Sequence, residues 1–513
     1  MKGDRTLGDL MRRFRGRLKA VTGVAESAAV TGVASDSRRA APGVVFCALS
    51  GQKTHGLRFA HDVVGAGCRV ILMEPPWPRA MTGALKASAK KNGVSLFTAV
   101  KLRLWLGELA NWVYRDPSSR LNVVAVTATS GKTTTCYFLE AIAQAAGQKV
   151  GVLGTVNYRV DGRPAPASLT TPQPDEAIGL MAQMADAGCR FCFMEATSQA
   201  LDMGRLDAIR FKGAVFGNLS RDHLDYHKTM GRYFQAKARL FTDLLRRSDQ
   251  TGRFAAINAD DEWGRKLIKR LGSTRGLKKY SFGRAVDADV GAERIELTLD
   301  ATRFHLRLGR IVKPVALKLV GAHNVANALA SASAAWALGF SIRQIVDGLQ
   351  SLSVVPGRLE RITEAKEFLL LVDYAHKPDA LENVLTTLRA IRSLKRLIVV
   401  FGCGGDRDAG KRPLMGEIAT RLADFAVLTS DNPRTEDPEK IIDAIEEGAK
   451  TQGRANYRRL VDRAEAIRWA IREAKPGDCV IVAGKGHETY QIFKDRTVHF
   501  DDREVCRDIL KSL

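Results

Sequence analysis

The run Ala125-Val-Thr-Ala-Thr-Ser-Gly-Lys-Thr-Thr-Thr135 constrains this chain more than any other. Leu121 to Val126 is a short, β-branched apolar stretch suited to a buried strand. It breaks into small residues, then Ser130-Gly-Lys-Thr133, and Cys136 to Ala143 follows with apolar residues at helical spacing. Strand, small-residue loop and helix in that order make a phosphate cradle. Unpaired N–H groups at the helix start face the anion, and glycine lets the backbone approach it. Lys132 can reach the β- and γ-phosphates, and the Thr133 hydroxyl can hold Mg²⁺. The loop lacks the first glycine of the general G-x-x-x-x-G-K-[ST] pattern, so taken alone an ordinary strand-to-helix turn stays open.

Around this stretch, a rhythm of strand and helix points to an α/β protein of three units, at 1–101, 102–355 and 356–513. The first reads as a small mixed α/β domain. Ser35-Asp-Ser-Arg38, Pro42-Gly43 and Gly51-Gln-Lys-Thr-His-Gly56 flank its apolar run Val44–Leu49, and Asp36–Arg38 is either a ligand loop or a plain turn. The second has expected strands at 121–126, 149–153, 190–194, 211–217 and 253–258, with helices near 132–145, 174–187, 231–247 and 260–271. That pattern predicts a parallel sheet covered on both faces, with ligands at the carboxyl ends of its strands. Leu102 to Tyr114 reads as a helix leading into this unit, 278–320 as short strands, and Gly321 opens an alanine-rich helix to Leu338. The third unit repeats the rhythm as a doubly wound, Rossmann-like sheet. Its strands end in Asp373-Tyr-Ala-His376, Gly402-Cys-Gly-Gly-Asp-Arg-Asp408, Asp431-Asn-Pro-Arg434 and Gly484-Lys-Gly-His-Glu488.

The polar groups fall at those strand ends. Thr170-Thr-Pro172 follows the second strand of the central unit, Glu195 follows Phe191–Met194, and Asn218 and Arg221-Asp-His-Leu-Asp-Tyr-His227 follow Val215–Gly217. A carboxylate and a histidine beside a phosphate loop suit Mg²⁺ held between protein and phosphates. Read alone, Glu195 is equally a helix-capping or ion-paired carboxylate, His223 a turn histidine, and Lys237 a solvated helix lysine. Asn324 and Asn327 share a helix face, to meet a base edge or to cap the helix.

The 79 basic and 56 acidic residues leave a net charge of +23, compatible with nucleic acid, polyanionic small substrates or a basic proteome. The basic residues are spread out, with no basic tail or aromatic-interleaved basic motif, so nucleic acid is not the expected partner. The eight cysteines are scattered; Cys189 and Cys192 read as buried thiols on a strand. A reducing cytoplasm is expected. No apolar run reaches the about eighteen residues of a membrane span, and no apolar signal core opens the chain.

In order, these motifs resemble the Mur ligases, ATP-dependent amide-forming enzymes of bacterial cell-wall synthesis. The resemblance runs through Asp36-Ser-Arg38, Ser130-Gly-Lys-Thr133, Leu169-Thr-Thr-Pro172, Asp222-His-Leu-Asp-Tyr-His227, Asn324-Val-Ala-Asn327, Pro356-Gly-Arg-Leu-Glu360, Asp373-Tyr-Ala-His376, Gly404-Gly-Asp-Arg-Asp408 and Gly484-Lys-Gly-His-Glu488. It implies that ATP phosphorylates the γ-carboxylate of the D-glutamyl residue of a UDP-N-acetylmuramoyl dipeptide. An amine of meso-diaminopimelate then attacks the acyl phosphate, and metals and cations hold the crowded anions.

By the same resemblance Thr129, Ser130, Gly131, Lys132, Thr133 and Thr134 serve ATP, with Asn324 and Asn327 at adenine, Asp373 at ribose and Arg358 at the γ-phosphate. Thr133 and Glu195 hold one Mg²⁺ and His223 a second, with Lys237 carbamoylated into an oxygen ligand. Lys132, Glu195, His223 and Lys237 form the catalytic set. Ser37, Thr170, Thr171, Thr197 and Arg205 hold the UDP substrate. Arg407, Asp431, Asn432, Pro433, Arg434, Gly484 and Glu488 hold diaminopimelate, with Arg434 clamping its distal carboxylate. A monomer is expected.

Four departures from the family pattern stand out: Ala128 for a glycine, Thr197-Ser-Gln199 for Ser-Ser-His, Lys377 for a threonine and Gln52 for a histidine. A lysine-adding ligase, and a degenerate ligase fold that binds nucleic acid or a protein, remain the competing readings. A folylpolyglutamate synthetase shares the chemistry, but the Asp431–Arg434 loop disfavours it.

Overall fold

The computed structural model describes residues 5–51, 54–77, 80–298 and 301–513. The departure at Gln52 lies outside them. Three large sheets follow one another along the chain, each packed with helices, and a two-stranded ribbon, Tyr490–Ile492 with Thr497–His499, joins the last.

In the N-terminal sheet, Leu18–Ala20, Ser95–Ala99, Val70–Met73, Val44–Ala48 and Gly32–Ala34 lie in that order, the first antiparallel to its neighbour and the others parallel. The helix Leu102–Tyr114, read from sequence as the entry to the second unit, gives Leu102, Trp105, Leu106, Leu109 and Val113 to this first core. Its opposite side meets the second unit, where Gly107 lets Ala208 and Pro174 approach. The seam between units therefore runs along this helix.

The central sheet has eleven strands, with Asn122–Thr127 between Gly213–Phe216 and Phe191–Glu195, all parallel. Both faces of the central strand are buried, as its unbroken apolar run requires. Val124 and Val126 pack with Phe138, Leu139 and Ile142 of the helix Lys132–Ala145, while Val123 and Ala125 point into the opposite core. The phosphate loop thus leaves the middle of the sheet, flanked by the strands that deliver Glu195 and Asn218.

One feature was not expected. An antiparallel hairpin, Asn157–Val160 with Arg163–Pro166, stands between the strand Val150–Leu153 and Thr170. Asp161 and Gly162 turn it with φ of 50° and 78°, the double left-handed turn that an Asp-Gly pair favours. The expected helix 231–247 is also broken: Met230–Arg239 runs into a π-helical turn, Leu240–Leu244, before Leu245–Arg247. Cys189 precedes the strand Phe191–Glu195 and does not lie on it; both it and Cys192 are buried.

The C-terminal sheet orders Glu360–Arg361, Leu369–Asp373, Cys479–Ala483, Leu397–Phe401, Phe425–Leu428 and Tyr457–Arg459, parallel but for the first strand. Its four charged loops leave one edge, at the carboxyl ends of neighbouring strands, where a doubly wound sheet binds ligands. Among the described residues no helix is long and apolar enough to cross a membrane.

Candidate active site

The phosphate loop is held open by its neighbours. Gly131 has φ of 89°, and the amide oxygen of Asn327 lies where any Cβ would stand, so only glycine fits. Asn218 clasps the loop with both side-chain groups: its Oδ1 accepts from the Ser130 amide at 3.0 Å and its Nδ2 donates to the Ser130 carbonyl at 2.9 Å. The Thr129 hydroxyl accepts from the Ser220 amide and lies 3.1 Å from the Tyr233 hydroxyl. Lys132 and Thr133 begin the helix, with Thr134 buried behind them. Ala128, the first departure, needs no left-handed backbone; its methyl sits against the Cα of Gly217, which leaves it room.

Lys132 and Lys237 converge. The Lys132 ammonium donates to the carbonyls of Ala128 and Thr129 at 2.9 and 3.0 Å, and Lys237 donates to the same Ala128 carbonyl at 2.8 Å and to the Thr127 hydroxyl at 3.3 Å. Lys237 is 1% exposed, and not the solvated lysine of the bare helix reading. Burial, and then the charge of Lys132, push its pKa well below that of a free lysine. Lys132 itself is lowered by burial, with Arg358 and Lys377 acting in the same direction.

Glu195 ends its strand with a carboxylate that accepts from the Thr133 hydroxyl at 2.9 Å, the Thr155 amide at 2.8 Å and the Thr155 hydroxyl at 3.0 Å. Gly154 allows this approach, because a Cβ there would stand 2.6 Å from Oε1. These partners are neutral groups of neighbouring strand and helix ends, unlike those of a capping or ion-paired carboxylate. A hydroxyl and a carboxylate side by side at a phosphate-loop helix fit Mg²⁺ bound jointly by protein and phosphates. His223, at φ of 52°, sits half-buried beside Tyr233 and 3.4 Å from Asp222. Burial, reinforced by Lys377, Lys132 and Lys237, lowers its pKa to about 4, so its ring is neutral and able to ligate at pH 7. Among the described residues no three His, Cys, Asp or Glu side chains make a ready metal cage.

Toward the N-terminal unit, Thr171 donates to the Glu195 carbonyl at 2.8 Å, contacts the Thr197 hydroxyl at 3.1 Å, and its own carbonyl accepts from Arg205. The Thr170 hydroxyl accepts from Thr155 at 3.2 Å. Arg205 is lowered by burial and then by the charge of Arg103. Ser37 opens a 3₁₀ turn, Ser37–Arg39, N-capped by Asp36. Fully buried Asp175 ties that turn to the central unit, accepting from the Ser35 amide and hydroxyl, each at 2.9 Å, and from Arg39 at 3.3 Å.

The third unit reaches the phosphate loop through two loops. Arg358 stacks on Tyr374 at 4.9 Å, and its Nε is buried without a hydrogen-bond partner. Asp373 accepts from the amides of Leu359 and Ala375 at 2.7 and 2.8 Å, so it shapes the Arg358 turn. Lys377 crosses the seam to both oxygens of Asp222, at 2.8 and 2.9 Å. Asn324 and Asn327 are buried and bonded to each other at 3.1 Å, with Asn324 also donating to the Val320 carbonyl.

In the remaining loops, Arg434 adopts φ of 54° and donates to the Gly405 carbonyl at 2.8 Å, its guanidinium lying over Gly404. Arg407 is exposed beside the same glycine. Asp431 caps the Asn432 amide, and Pro433 is buried behind it. Asn432 donates to Glu488 at 3.0 Å, and the fully buried Lys485 bonds both at 3.3 Å. Gly484 lies 2.9 Å from Asp431 at its would-be Cβ. Three contributors went unmarked in the sequence reading: Thr155, Asp175 and Lys485. Thr155 sits just past a strand end and Lys485 within a named loop, so position alone offered a signal; Asp175 looked like any first-turn helix acid.

The family of the Mur ligase middle domain matches residues 126–335, and that of the Mur ligase glutamate ligase domain matches 357–486. A UDP-N-acetylmuramoyl-L-alanyl-D-glutamate–2,6-diaminopimelate ligase of Solibacter usitatus is 39% identical over 486 residues, covering 94% of each chain. One of Geobacillus thermodenitrificans is 41% identical over 481 residues, covering 93% of this chain and 94% of that one. A solved structure of such a ligase superposes with a TM-score of 0.64 at 32% identity, over 96% of this chain and 97% of that one. MurF from Acinetobacter baumannii shares the fold at a TM-score of 0.68 and 20% identity, over 99% of both chains.

Proposed function

Since this chain belongs to the Mur ligase family, we propose that it is the ADP-forming ligase that adds meso-diaminopimelate to UDP-N-acetylmuramoyl-L-alanyl-D-glutamate in peptidoglycan synthesis. The observation that carries the reading is the meeting of the central and third units beside one phosphate loop, with the first unit tied alongside through Asp175. Lys132, Thr133 and Glu195 stand on one side, Thr171 and Arg205 on another, and Arg358 and Lys377 reach in from the third.

In this reading Lys132 and the loop amides bind the ATP phosphates, while Arg358 supplies charge at the γ-phosphoryl group. Thr133 and Glu195 would hold Mg²⁺, which neutralises phosphate charge when bound. The glutamyl carboxylate attacks the γ-phosphorus, ADP leaves, and the acyl phosphate accepts the amine; phosphate then departs from the tetrahedral intermediate. Each step develops negative charge where fixed cations and amides already point. A buried Lys237 amine of lowered pKa suits addition to CO₂, and as a carbamate it would offer oxygen beside His223. The substrate carboxylate enters past Arg205 and Thr171, and the amine past the Asn432–Glu488 pair. Arg434, anchored by Gly405, would clamp the carboxylate that distinguishes diaminopimelate from lysine.

The test is ADP release with UDP-linked dipeptide, ATP and Mg²⁺, with meso-diaminopimelate or L-lysine as the amine. Turnover with diaminopimelate at least thirtyfold above lysine is expected, from roughly 2 kcal/mol of lost pairing. Equal use of both amines would overturn the clamp, and no turnover with either would overturn the ligase.

A further inference from the structure

Lys377 is one of four positions where the resemblance leads one to expect another residue, and its side chain lies at the seam beside His223. It N-caps the helix Pro378–Arg389, one residue past His376, whose carbonyl is tied by Lys411 at 2.7 Å. Its backbone is therefore fixed on the third unit. Its side chain nevertheless crosses to the central unit and binds both oxygens of Asp222, the residue preceding His223. An ammonium has three donors on a flexible stem; two are used on Asp222, and the group is 36% exposed.

Resting on the reading of this site as an ATP site, we infer that Lys377 is a phosphate-binding residue. Its ammonium exchanges the Asp222 carboxylate for an oxygen of the terminal phosphoryl group when ATP binds.

Two further observations agree. Arg358, from the same unit, has a buried Nε with no hydrogen-bond partner, so the third unit presents a second cation with an unused donor. The charges of Arg358 and Lys377 both bear on Lys132, against those of Glu195 and Asp222. A carboxylate is the nearest protein mimic of a phosphoryl edge, and an ammonium is a point charge that can move between the two.

The test uses the full-length protein with Mg²⁺ and compares equilibrium binding of ADP with that of the β,γ-imido analogue of ATP. Lys377→Met is expected to weaken the imido analogue by tenfold or more while changing ADP by less than twofold; Lys377→Arg should keep the analogue within threefold of wild type. Asp222→Asn, which removes the competing carboxylate, should leave analogue binding unchanged or tighter. If Lys377 only latches the two units together, Lys377→Met and Asp222→Asn will weaken both nucleotides alike, and that result overturns the inference. Lys377→Thr, a short side chain, replaces the methionine variant should that one fail to fold. Loss of the analogue-to-ADP difference bears on Lys377 alone. Nucleotide binding without any turnover of the UDP-linked dipeptide would instead sink the proposed substrate.

Discussion

Replacing Gly404 by alanine separates the amine site from the stability of the fold. A Cβ at this position would stand 2.9 Å from Nη1 of Arg434, with the Asn432 carbonyl and the Arg407 side chain near 3.8 and 3.9 Å. The only close atom is the far end of a flexible side chain, and Gly404 is not among the residues of positive φ. The fold should therefore accept the methyl group at a cost below about 0.5 kcal/mol, as for substitutions outside a core. The guanidinium cannot accept it in place: it has to move by several tenths of an ångström, away from the Gly405 carbonyl that orients it at 2.8 Å.

A charge-assisted hydrogen bond is worth about 1.5–3 kcal/mol, and Arg434 is half-buried, so the lower half of that range applies. The expected loss is about 1.5–2.2 kcal/mol in transition-state stabilisation, or roughly twelve- to fortyfold in kcat/KM for meso-diaminopimelate. The constants for ATP and the UDP-linked dipeptide should stay within twofold. Steady-state ADP release gives the kinetics, and a thermal melt gives the stability. The control is Arg434→Met, in whose background Gly404→Ala should add nothing, because the two changes act on one contact. An undiminished effect in that background would refute the argument, as would a loss shared by all three substrates.

Three other perturbations follow from contacts of comparable clarity. Asp175→Ala leaves the Ser35 amide and hydroxyl and Arg39 without their acceptor; it should destabilise the chain by about 2–4 kcal/mol and raise KM for the UDP substrate more than it lowers kcat, and a melt unchanged to within about 1 °C would contradict it. Lys237→Met removes a buried amine with no carboxylate partner, so the melting temperature should hold or rise while ADP release falls at least a hundredfold, and turnover within tenfold of wild type would rule out its role. His376 is lowered to about 4 by burial, against its hydrogen bond to the Tyr374 carbonyl and with help from Lys411 and Lys377, while Asp431 opposes. A histidine of depressed folded pKa contributes stability that is full above its unfolded value of about 6.5 and is lost as pH falls toward 4. His376→Gln should flatten urea-denaturation stability between those limits by up to about 3 kcal/mol, and an unchanged slope would count against it.

The strands of the central sheet and the four loops of the third unit were legible because each rests on local pattern, an apolar run followed at once by small or charged residues; the order of the strands in the sheet was not. The hairpin at 157–166 was legible too, since Asp161-Gly162 is a turn signal; it went unread because Arg163–Pro166 is exposed throughout and carries no apolar alternation. Lys237 is more instructive. Met230, Tyr233, Phe234, Leu240 and Phe241 mark the core stripe of its helix, and Lys237 falls on that stripe, three and four residues from its neighbours. A lysine at a core position is a functional signal that amphipathic spacing alone could have raised. The ties of Asp175 to Ser35 and of Lys377 to Asp222 join residues 140 and 155 positions apart, and no local pattern encodes such pairs.

The same bonds weigh against a chain that has kept the ligase fold and lost its chemistry. Lys132 and Lys237 donate to one carbonyl oxygen, and both ammoniums are shifted down by burial. A scaffold that only bound a partner would gain stability from methionine at either position. The departures from the family pattern point the same way, because two of them come with a matching partner. Ala128 faces Gly217, which has no side chain to meet its methyl, and Lys377 faces Asp222, which holds its charge. A site under no chemical demand has no reason to keep two buried lysine amines on one carbonyl oxygen, whereas a triphosphate gives them an anion to hold.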